Sequence, residues 1–223
     1  MNLSILICVH SPNSTYDALL RRALTSLTQQ TFQDFQTVIV LDECWDGTTQ
    51  VVSEFQDVLS IDCLERSQKQ GLAKAKNAGL ELCKGDWVGF LDADDIYYTN
   101  DKLERQLQFI AEHPEYDLVG CQAVDIYYTG TERETIQDNC FWLGQYETNE
   151  QIRARLEAEN VICHGSVLIK RSLLEKFSGY PESNQWKGKE DWTLWKAFAD
   201  AGVKFYNLPF RGYGYSMGTG VSR

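Results

Sequence analysis

Three aspartates, Asp92, Asp94 and Asp95, follow a short apolar run, residues 87–91. Such a run is typical of a buried strand, and the carboxyl ends of strands in open α/β sheets bind ligands. Carboxylates this close repel one another, and each raises the pKa of its neighbours unless a positive charge lies among them. Hard divalent cations share carboxylate oxygens with substrate phosphates. The spacing therefore predicts a Mg²⁺ or Mn²⁺ site for a phosphorylated ligand; the alternative is a solvated acidic turn that caps the next helix.

Two other apolar runs also end in polar residues. The first run of the chain leads into His10, Ser11 and Pro12, and the second leads into Asp42. An acid at such a strand end accepts hydrogen bonds from a base or a ribose. Because the carboxyl ends of parallel strands meet at one edge of a sheet, we expect these residues to lie beside the aspartate cluster. The pattern predicts a nucleotide site along that edge.

The elements that position these residues follow from the spacing of apolar side chains. Up to residue 113, apolar runs typical of buried parallel strands alternate with stretches that place leucines on one helical face. This alternation predicts an α/β fold with a parallel sheet and right-handed crossovers. The predicted strands are residues 3–9, 37–41, 58–64 and 87–91. The predicted helices are residues 17–30, 48–55, 71–83 and 101–113.

The pattern changes after Pro114. Residues 129–145 are polar and irregular. In residues 211–223, glycines alternate with tyrosines and serines, and this composition predicts a flexible loop that closes as a lid over a bound ligand. The alternative for this tail is a frayed terminus without a role. The predicted strands here are residues 117–128, 161–169, with an interruption at residues 164–166, and 204–207. The predicted helices are residues 149–159, 171–177 and 190–201.

Composition limits the class of protein. The chain has 223 residues, of which 43% are hydrophobic and 24% are charged, as in ordinary globular domains. A net charge of -11 without a basic cluster argues against nucleic-acid binding. The chain lacks an apolar run of about 18 residues and a signal-peptide pattern, so no integral membrane segment is expected. Seven scattered cysteines, none in a CxxC pair, predict neither zinc nor disulfides and indicate the reducing cytoplasm.

Seven short motifs occur in order along the chain. They are ILICVH (5–10), LTQQTF (27–32), VLDECWDGT (40–48), GLAKAKNAG (71–79), KGDWVGFLDADD (84–95), GSVLIKR (165–171) and KEDW (189–192). Each motif is weak alone, but the ordered set covers nearly the whole chain and resembles family 2 of the glycosyltransferases. The resemblance implies the GT-A fold, a Rossmann-like α/β fold of nucleotide-diphospho-sugar transferases with a central, mostly parallel sheet flanked by helices.

The resemblance also implies a reaction, in which a sugar moves with inversion from a nucleotide-diphosphate sugar, by family frequency a UDP-sugar, to a carbohydrate or other hydroxyl acceptor. A single domain, residues 1–223, would bind the nucleotide sugar with residues 1–113 and the acceptor with residues 114–223. Asp191 would be the general base. Asp94 with Asp92 would hold Mn²⁺ or Mg²⁺, and Asp92 could instead contact the ribose or a metal-bound water. Asp95 could share in binding the metal or the ribose. The implied nucleotide-sugar residues are His10, Ser11, Pro12, Asp42, Lys74, Asn77 and Asp92. The acceptor or lid candidates are His164, Glu190, Trp192, Tyr213 and Tyr215, and Trp186 is a further aromatic that could stack on a sugar.

Several alternatives stay open. Asp191 also suits the first turn of its helix as a capping acid, and His164 and Trp195 also suit a core. Many relatives carry a histidine near the C-terminus, where this chain has tyrosines and Ser216. A phosphohydrolase of the haloacid dehalogenase type would use Asp92 as the nucleophile. The motif of that family has Thr or Val four residues after this aspartate, whereas this chain has Ile96. The third reading is a non-catalytic sugar-nucleotide-binding module. We expect a cytoplasmic enzyme that adds one sugar, free or peripheral at the inner membrane face, and leave its oligomeric state open.

Overall fold

The computed structural model describes residues 2–128, 134–137, 146–183, 185 and 188–217. Within these residues, nine strands form one continuous sheet. The strands are β1 (Leu3–Val9), β2 (Phe35–Asp42), β3 (Ser60–Arg66), β4 (Trp87–Phe90), β5 (Ile96–Tyr97), β6 (Leu118–Tyr128), β7 (Glu134–Gln137), β8 (Leu168–Lys170) and β9 (Phe205–Met217). The helices are α1 (Asp17–Thr28), α2 (Asp46–Ser53), α3 (Leu72–Leu82), α4 (Lys102–Glu112), α5 (Asn149–Leu156), α6 (Arg171–Lys176) and α7 (Glu190–Asp200).

The sheet is mixed, with strand order β3-β2-β1-β4-β8-β6-β9-β5 and β7 paired to β6. The four strands of the first half are parallel to one another. In the second half, β8 runs antiparallel to both β4 and β6, whereas β6 and β9 are parallel. The α/β class with flanking helices is thus confirmed, and every antiparallel pair includes a strand that follows β4.

Alternate residues of the central strands pack into two apolar cores, which lie on opposite faces of the sheet. Ile5 and Ile7 of β1 belong to the core that contains Leu24 of α1. Leu6 belongs to the other core, under α3. Gly79 lets α3 lie close to β1, because a Cβ at this position would be 2.3 Å from Cδ1 of Leu6. Close packing of α3 matters for the site, since this helix carries the lysine described below.

Every predicted element up to residue 113 occurs in the structure, and no end lies more than two residues from its prediction. The short strand β5 was not predicted. The predicted interruption at residues 164–166 is confirmed, because a 3₁₀ turn occupies His164–Ser166. The predicted strand around it is only partly correct, since the strand is confined to Leu168–Lys170. In the segment predicted to be irregular, β7 forms at residues 134–137, and the rest of 129–145 lies outside the described residues.

The prediction of a flexible loop over residues 211–223 is wrong as far as residue 217. Strand β9 continues through Met217, pairs with β6 along its length, and is largely buried. The glycines do not loosen this segment; they let it pack. A Cβ at Gly212 would lie 2.8 Å from Sγ of Cys121, and one at Gly214 would lie 2.5 Å from Cδ1 of Ile126. Residues 218–223 lie outside the described residues.

None of the helices in the described part of the chain combines the length and the apolar character that crossing a bilayer would require.

Candidate active site

The carboxyl ends of β1, β2 and β4 lie side by side, because β1 pairs in parallel with both other strands. This register brings His10, Asp42 and Asp92 to one rim of the sheet. A residue of the second half joins them: the charge of Asp191, in the first turn of α7, acts on the pKa of Asp92. The rim is therefore built by both halves of the chain.

In the acidic turn after β4, residues 92–95, carboxylates lie close enough to raise one another's pKa values. Burial raises the pKa of Asp92 to about 6; the nearby Lys76 opposes this rise, whereas Asp94 and Asp191 add to it. Because burial is the main cause of this rise, neutralising the charge of Asp92 is favoured at this place. Sites of this kind favour a cation or a proton, and Asp92 is poised to take either.

Asp95 differs from the two aspartates before it, because strand β9 engages both of its oxygens, and its expected share in metal or ribose binding stays a prediction. It is buried, and its two carboxylate oxygens accept hydrogen bonds from the Tyr213 hydroxyl and the Ser216 backbone N–H, each at 2.7 Å. Burial, together with Asp92 and Asp94, raises its pKa well above the usual range. Asp95 therefore ties the acidic turn to β9.

The same contacts correct the prediction for Tyr213, which has no exposed surface and cannot stack on a sugar. Its hydroxyl also accepts the backbone N–H of Asp92 at 3.3 Å, so this tyrosine holds both ends of the acidic turn. Tyr215, on the same strand, is partly exposed. Trp186, another predicted stacking residue, lies outside the described residues.

Helix α1 supports the turn from its other side. Nη2 of Arg22 donates to the backbone oxygen of Asp94 at 3.1 Å and to Oγ of Ser216 at 2.9 Å. The Ser216 hydroxyl itself donates to the same backbone oxygen of Asp94. The sequence analysis missed Arg22, and its position on an amphipathic helix offers no signal that would have identified it.

The predicted nucleotide residues at the ends of β1 and β2 lie together and hold one another. Nδ1–H of His10 donates to the backbone oxygen of Asp42 at 2.7 Å. Ser11 is buried and donates to the backbone oxygen of Asn13, whereas Pro12 is exposed. This pairing fixes the tautomer of His10, which leaves its Nε2 as a hydrogen-bond acceptor.

The carboxylate of Asp42 is already engaged by the chain. It accepts the backbone N–H groups of Gln70, at 3.1 Å to each oxygen, and of Gly71, at 3.0 Å. Nε of Arg66 lies 3.7 Å from it. Gly71 has a φ of 98°, a conformation that glycine adopts readily, and it directly precedes α3. In this structure Asp42 therefore anchors the segment that starts α3.

On α3 the lysine that acts on the acidic turn is Lys76, which was not predicted, and the predicted role of Lys74 stays a prediction. Lys74 is exposed, whereas Lys76 is buried, and its Nζ lies 5.0 Å from the centroid of the Tyr180 ring. Lys76 is the positive charge that acts on Asp92. A helical period would have identified it, because Lys76 stands three residues from both Ala73 and Gly79, which are buried.

Asn77 does not contact the acidic turn. Its side chain accepts the backbone N–H of Tyr180 at 2.7 Å, and donates to the backbone oxygen of Tyr180 and to Glu182, each at 2.9 Å. A Cβ at Gly179 would lie 2.3 Å from its Oδ1. Asn77 thus fixes the turn that carries Tyr180, and its predicted contact with ribose or phosphate stays a prediction.

The acceptor-side candidates on α7 are held in defined positions. Oδ2 of Asp191 accepts Nδ2–H of Asn160 at 2.9 Å, and Oδ1 accepts the backbone N–H of Trp192 at 2.7 Å. The indole N–H of Trp192 donates to the backbone oxygen of Leu156 at 2.7 Å. Glu190 is buried, whereas Asp191 and Trp192 are partly exposed. Of the two acids in this pair, Asp191 is the one in electrostatic reach of Asp92.

His164 proves to be a core residue, as the alternative reading had it. Its ring lies 4.5 Å from that of Phe90 and stacks at 6.1 Å on Trp195, and its Nε2 forms a 2.8 Å hydrogen bond with the Tyr180 hydroxyl. Burial, with a smaller contribution from Lys76, holds the pKa of His164 well below its usual value. The imidazole is therefore neutral, and its hydrogen bond helps to hold the Tyr180 hydroxyl in place. Trp195, which was expected in the core, is fully buried.

Whether the site suits a divalent cation depends on Asp92 and Asp94. Among the described residues, no three His, Cys, Asp or Glu side chains lie close enough to bind a metal by themselves. Asp92 and Asp94 still suit Mg²⁺ or Mn²⁺, because these ions are commonly bound by one or two carboxylates together with substrate phosphates. The raised pKa of Asp92 agrees with this incomplete, substrate-completed type of site.

Comparison with known proteins gives the family of the chain. Residues 4–178 match the family model described as glycosyl transferase family 2. An uncharacterized glycosyltransferase of Haemophilus influenzae is 28% identical over 210 residues, which cover 94% of this chain and 73% of the relative.

Solved structures show the fold. The chain matches Staphylococcus aureus TarS, in complex with UDP-GlcNAc, with a TM-score of 0.75 and 21% identity, covering 97% of this chain and 58% of that one. It matches the mannosyltransferase PcManGT of Pyrobaculum calidifontis, in complex with GDP-Man and Mn²⁺, with a TM-score of 0.72 and 20% identity, covering 95% of this chain and 56% of that one. The chain thus spans little more than half of these two crystallised chains, and 37% of a longer crystallised TarS chain, with which it shares the GT-A type of fold. By its matched motifs and its architecture, this chain belongs to glycosyl transferase family 2.

Proposed function

We propose that this chain is an inverting glycosyltransferase, which moves a sugar from a nucleoside diphosphate sugar, most often a UDP-sugar, to a hydroxyl of a carbohydrate or other acceptor. The observation that carries this proposal is the meeting of Asp92 and Asp94 with Asp191 at one rim. The first two come from the half predicted to bind the donor, and Asp191 comes from the half predicted to bind the acceptor. Transfer requires the donor and the acceptor to meet at one place, and a rim built by both halves of the chain provides such a place.

The donor would lie along the ends of β1 and β2. His10 and Asp42 border this part of the rim, and the buried Lys76 offers positive charge to a diphosphate. The complex of TarS with UDP-GlcNAc supports a uridine nucleotide, and the complex of PcManGT supports a nucleoside diphosphate sugar in general. The structure supports an indirect role for Asp42, through the Gln70–Gly71 segment, as readily as direct contact with the base.

Asp94, with Asp92, would hold Mn²⁺ or Mg²⁺ beside the diphosphate. The Mn²⁺ in the complex of PcManGT supports this assignment. A bound divalent cation supplies charge neutralisation on the leaving diphosphate. The chain's own contribution is to fix the backbone of the acidic turn, through Arg22, Tyr213 and Ser216, so that both carboxylates keep their positions.

Asp191 would remove the proton of the acceptor hydroxyl as that oxygen attacks the anomeric carbon. Its carboxylate is partly exposed and lies at the first turn of α7, where its charge is also favoured by the helix dipole. A positioned general base typically contributes about 10²–10⁴-fold to the rate. Inversion would result if the base and the leaving diphosphate act on opposite sides of the sugar.

A donor screen tests the proposal. The purified chain is incubated with Mn²⁺ and a panel of nucleotide sugars, and the released nucleoside diphosphate and inorganic phosphate are both measured. We expect metal-dependent release of the diphosphate from one donor class, slow in water and faster with a suitable hydroxyl acceptor. Release of inorganic phosphate would favour the phosphohydrolase, and binding without any release would favour the non-catalytic module.

A further inference from the structure

We propose that Asn160 is a positioning residue, which orients the carboxylate of Asp191 toward the acceptor hydroxyl. The inference rests on the proposed role of Asp191 as the general base. Its starting point is the 2.9 Å hydrogen bond from Nδ2 of Asn160 to Oδ2 of Asp191, between side chains 31 residues apart in the chain.

The amide of Asn160 is held so that its nitrogen faces the carboxylate. Its Oδ1 accepts the backbone N–H of Ile162 at 3.3 Å, which leaves Nδ2 as the group directed at Asp191. The two residues that follow Asn160, Val161 and Ile162, are buried with 1% and 0% exposure. The donor is therefore fixed by the core, unlike a mobile side chain on the surface.

Asp191 is held at both oxygens. Oδ1 accepts the backbone N–H of Trp192, and the indole of Trp192 is itself held by Leu156, so one side of the carboxylate is set by α7 and its contact with α5. Asn160 sets the other side. Each carboxylate oxygen has two lone pairs, so Oδ2 can accept the Asn160 amide and still accept the proton of an acceptor hydroxyl.

The geometry of this carboxylate matters because proton transfer requires a short and aligned contact with the reacting hydroxyl. Without the Asn160 donor, the carboxylate is held at one oxygen and can turn away from the acceptor. A misplaced base lowers the rate of the chemical step, whereas donor binding, which occurs at the ends of β1 and β2, is left as it was. This separation between turnover and donor binding distinguishes a positioning role from a purely structural one.

The variant Asn160→Asp reverses the interaction. Aspartate keeps the Oδ1 acceptor for Ile162 and the shape of the side chain, but it replaces the donor to Asp191 with a charged acceptor that repels the Asp191 carboxylate. The variant Asn160→Ala removes the donor without adding this charge. Loss of a hydrogen bond to a charged group corresponds to a fall in kcat of roughly 10- to 100-fold. Donor KM and UDP affinity should stay within about twofold. The matched control is Asn149→Asp, which likewise keeps its acceptor for the Phe205 N–H and should retain full activity.

A double-mutant cycle with Asp191→Asn decides whether Asn160 acts through Asp191. In that background Asn160→Asp should cause no further loss, because the group it positions is already gone. Multiplying losses, or a donor KM that rises as kcat falls, would overturn the positioning role. A lower Tm with unchanged kcat would also overturn the positioning role. If Asn160→Asp folds poorly, the same double-mutant cycle is measured with Asn160→Ala at a temperature below the Tm of that variant. If Asp191→Asn keeps wild-type activity, the proposed base is wrong; if only Asn160→Asp does, the further inference alone fails.

Discussion

At the scale of single residues, the three aspartates of the acidic turn, Asp92, Asp94 and Asp95, have different surroundings. Asp95 is buried against β9, whereas Asp92 and Asp94 are the two carboxylates that we propose as cation ligands. We expect Asp94→Asn to lower turnover roughly 100-fold or more, since the charge stabilisation by a bound metal is worth several kcal/mol. Mn²⁺-dependent UDP binding, measured by calorimetry, should weaken as well. The metal-free fold should keep its Tm, because removing a like charge relieves repulsion on Asp92.

The control for this variant is Asp86→Asn, at the exposed opposite end of β4. It should leave both turnover and metal-dependent binding unchanged. Near-normal activity of Asp94→Asn would remove Asp94 from the metal assignment.

The two lysines of α3 provide a second residue-scale prediction. Lys76→Met removes the buried charge next to Asp92, whereas Lys74→Met removes a charge from the exposed side of the same helix. We expect the first change to weaken UDP binding about tenfold, as loss of one charge-assisted contact would. The second should alter binding less than about twofold. Equal effects of both changes would show that Lys76 does not face the diphosphate.

At the scale of elements, β9 is the strand that holds the candidate site together. Tyr213→Phe removes the donor to the buried Asp95 and leaves a carboxylate oxygen without it. Such a loss costs about 1–3 kcal/mol. The free energy of unfolding in urea should fall by that amount, and activity should fall with it as the turn loosens. Tyr206→Phe, on a partly exposed part of the same strand, is the control and should change stability by less than about 0.5 kcal/mol.

At the scale of the whole molecule, stability should depend on pH through a neutral histidine in the core. The pKa of His164 is held well below its usual 6.5 by burial and by Lys76, so below pH 6.5 the unfolded chain binds a proton that the folded chain does not. Stability is therefore fully present above pH 6.5 and falls as the pH is lowered below it. His164→Phe should have a flatter dependence between pH 7 and 5.5, measured by urea unfolding. An identical slope in both proteins would show that His164 is protonated in the fold.

Local pattern alone determined much of this protein. Strand and helix positions up to residue 113, the acidic turn after β4 and the polar ends of β1 and β2 were all predicted, because each depends on side-chain spacing within a few residues. The family resemblance rested on the same short motifs, and the family model confirms it. The roles of Asp94, Asp92 and Asp191 stay predictions that the geometry supports.

Only the tertiary structure decided which of the chemically similar residues reach the site. Asp95 faces Tyr213, 118 residues away, and Asp191 faces Asn160, 31 residues away. The burial of β9 likewise depends on its pairing with β6, although its glycines and tyrosines resemble those of a loop. No local period encodes such contacts, because the free energy of burying a polar group is set by the partner that the fold brings to it.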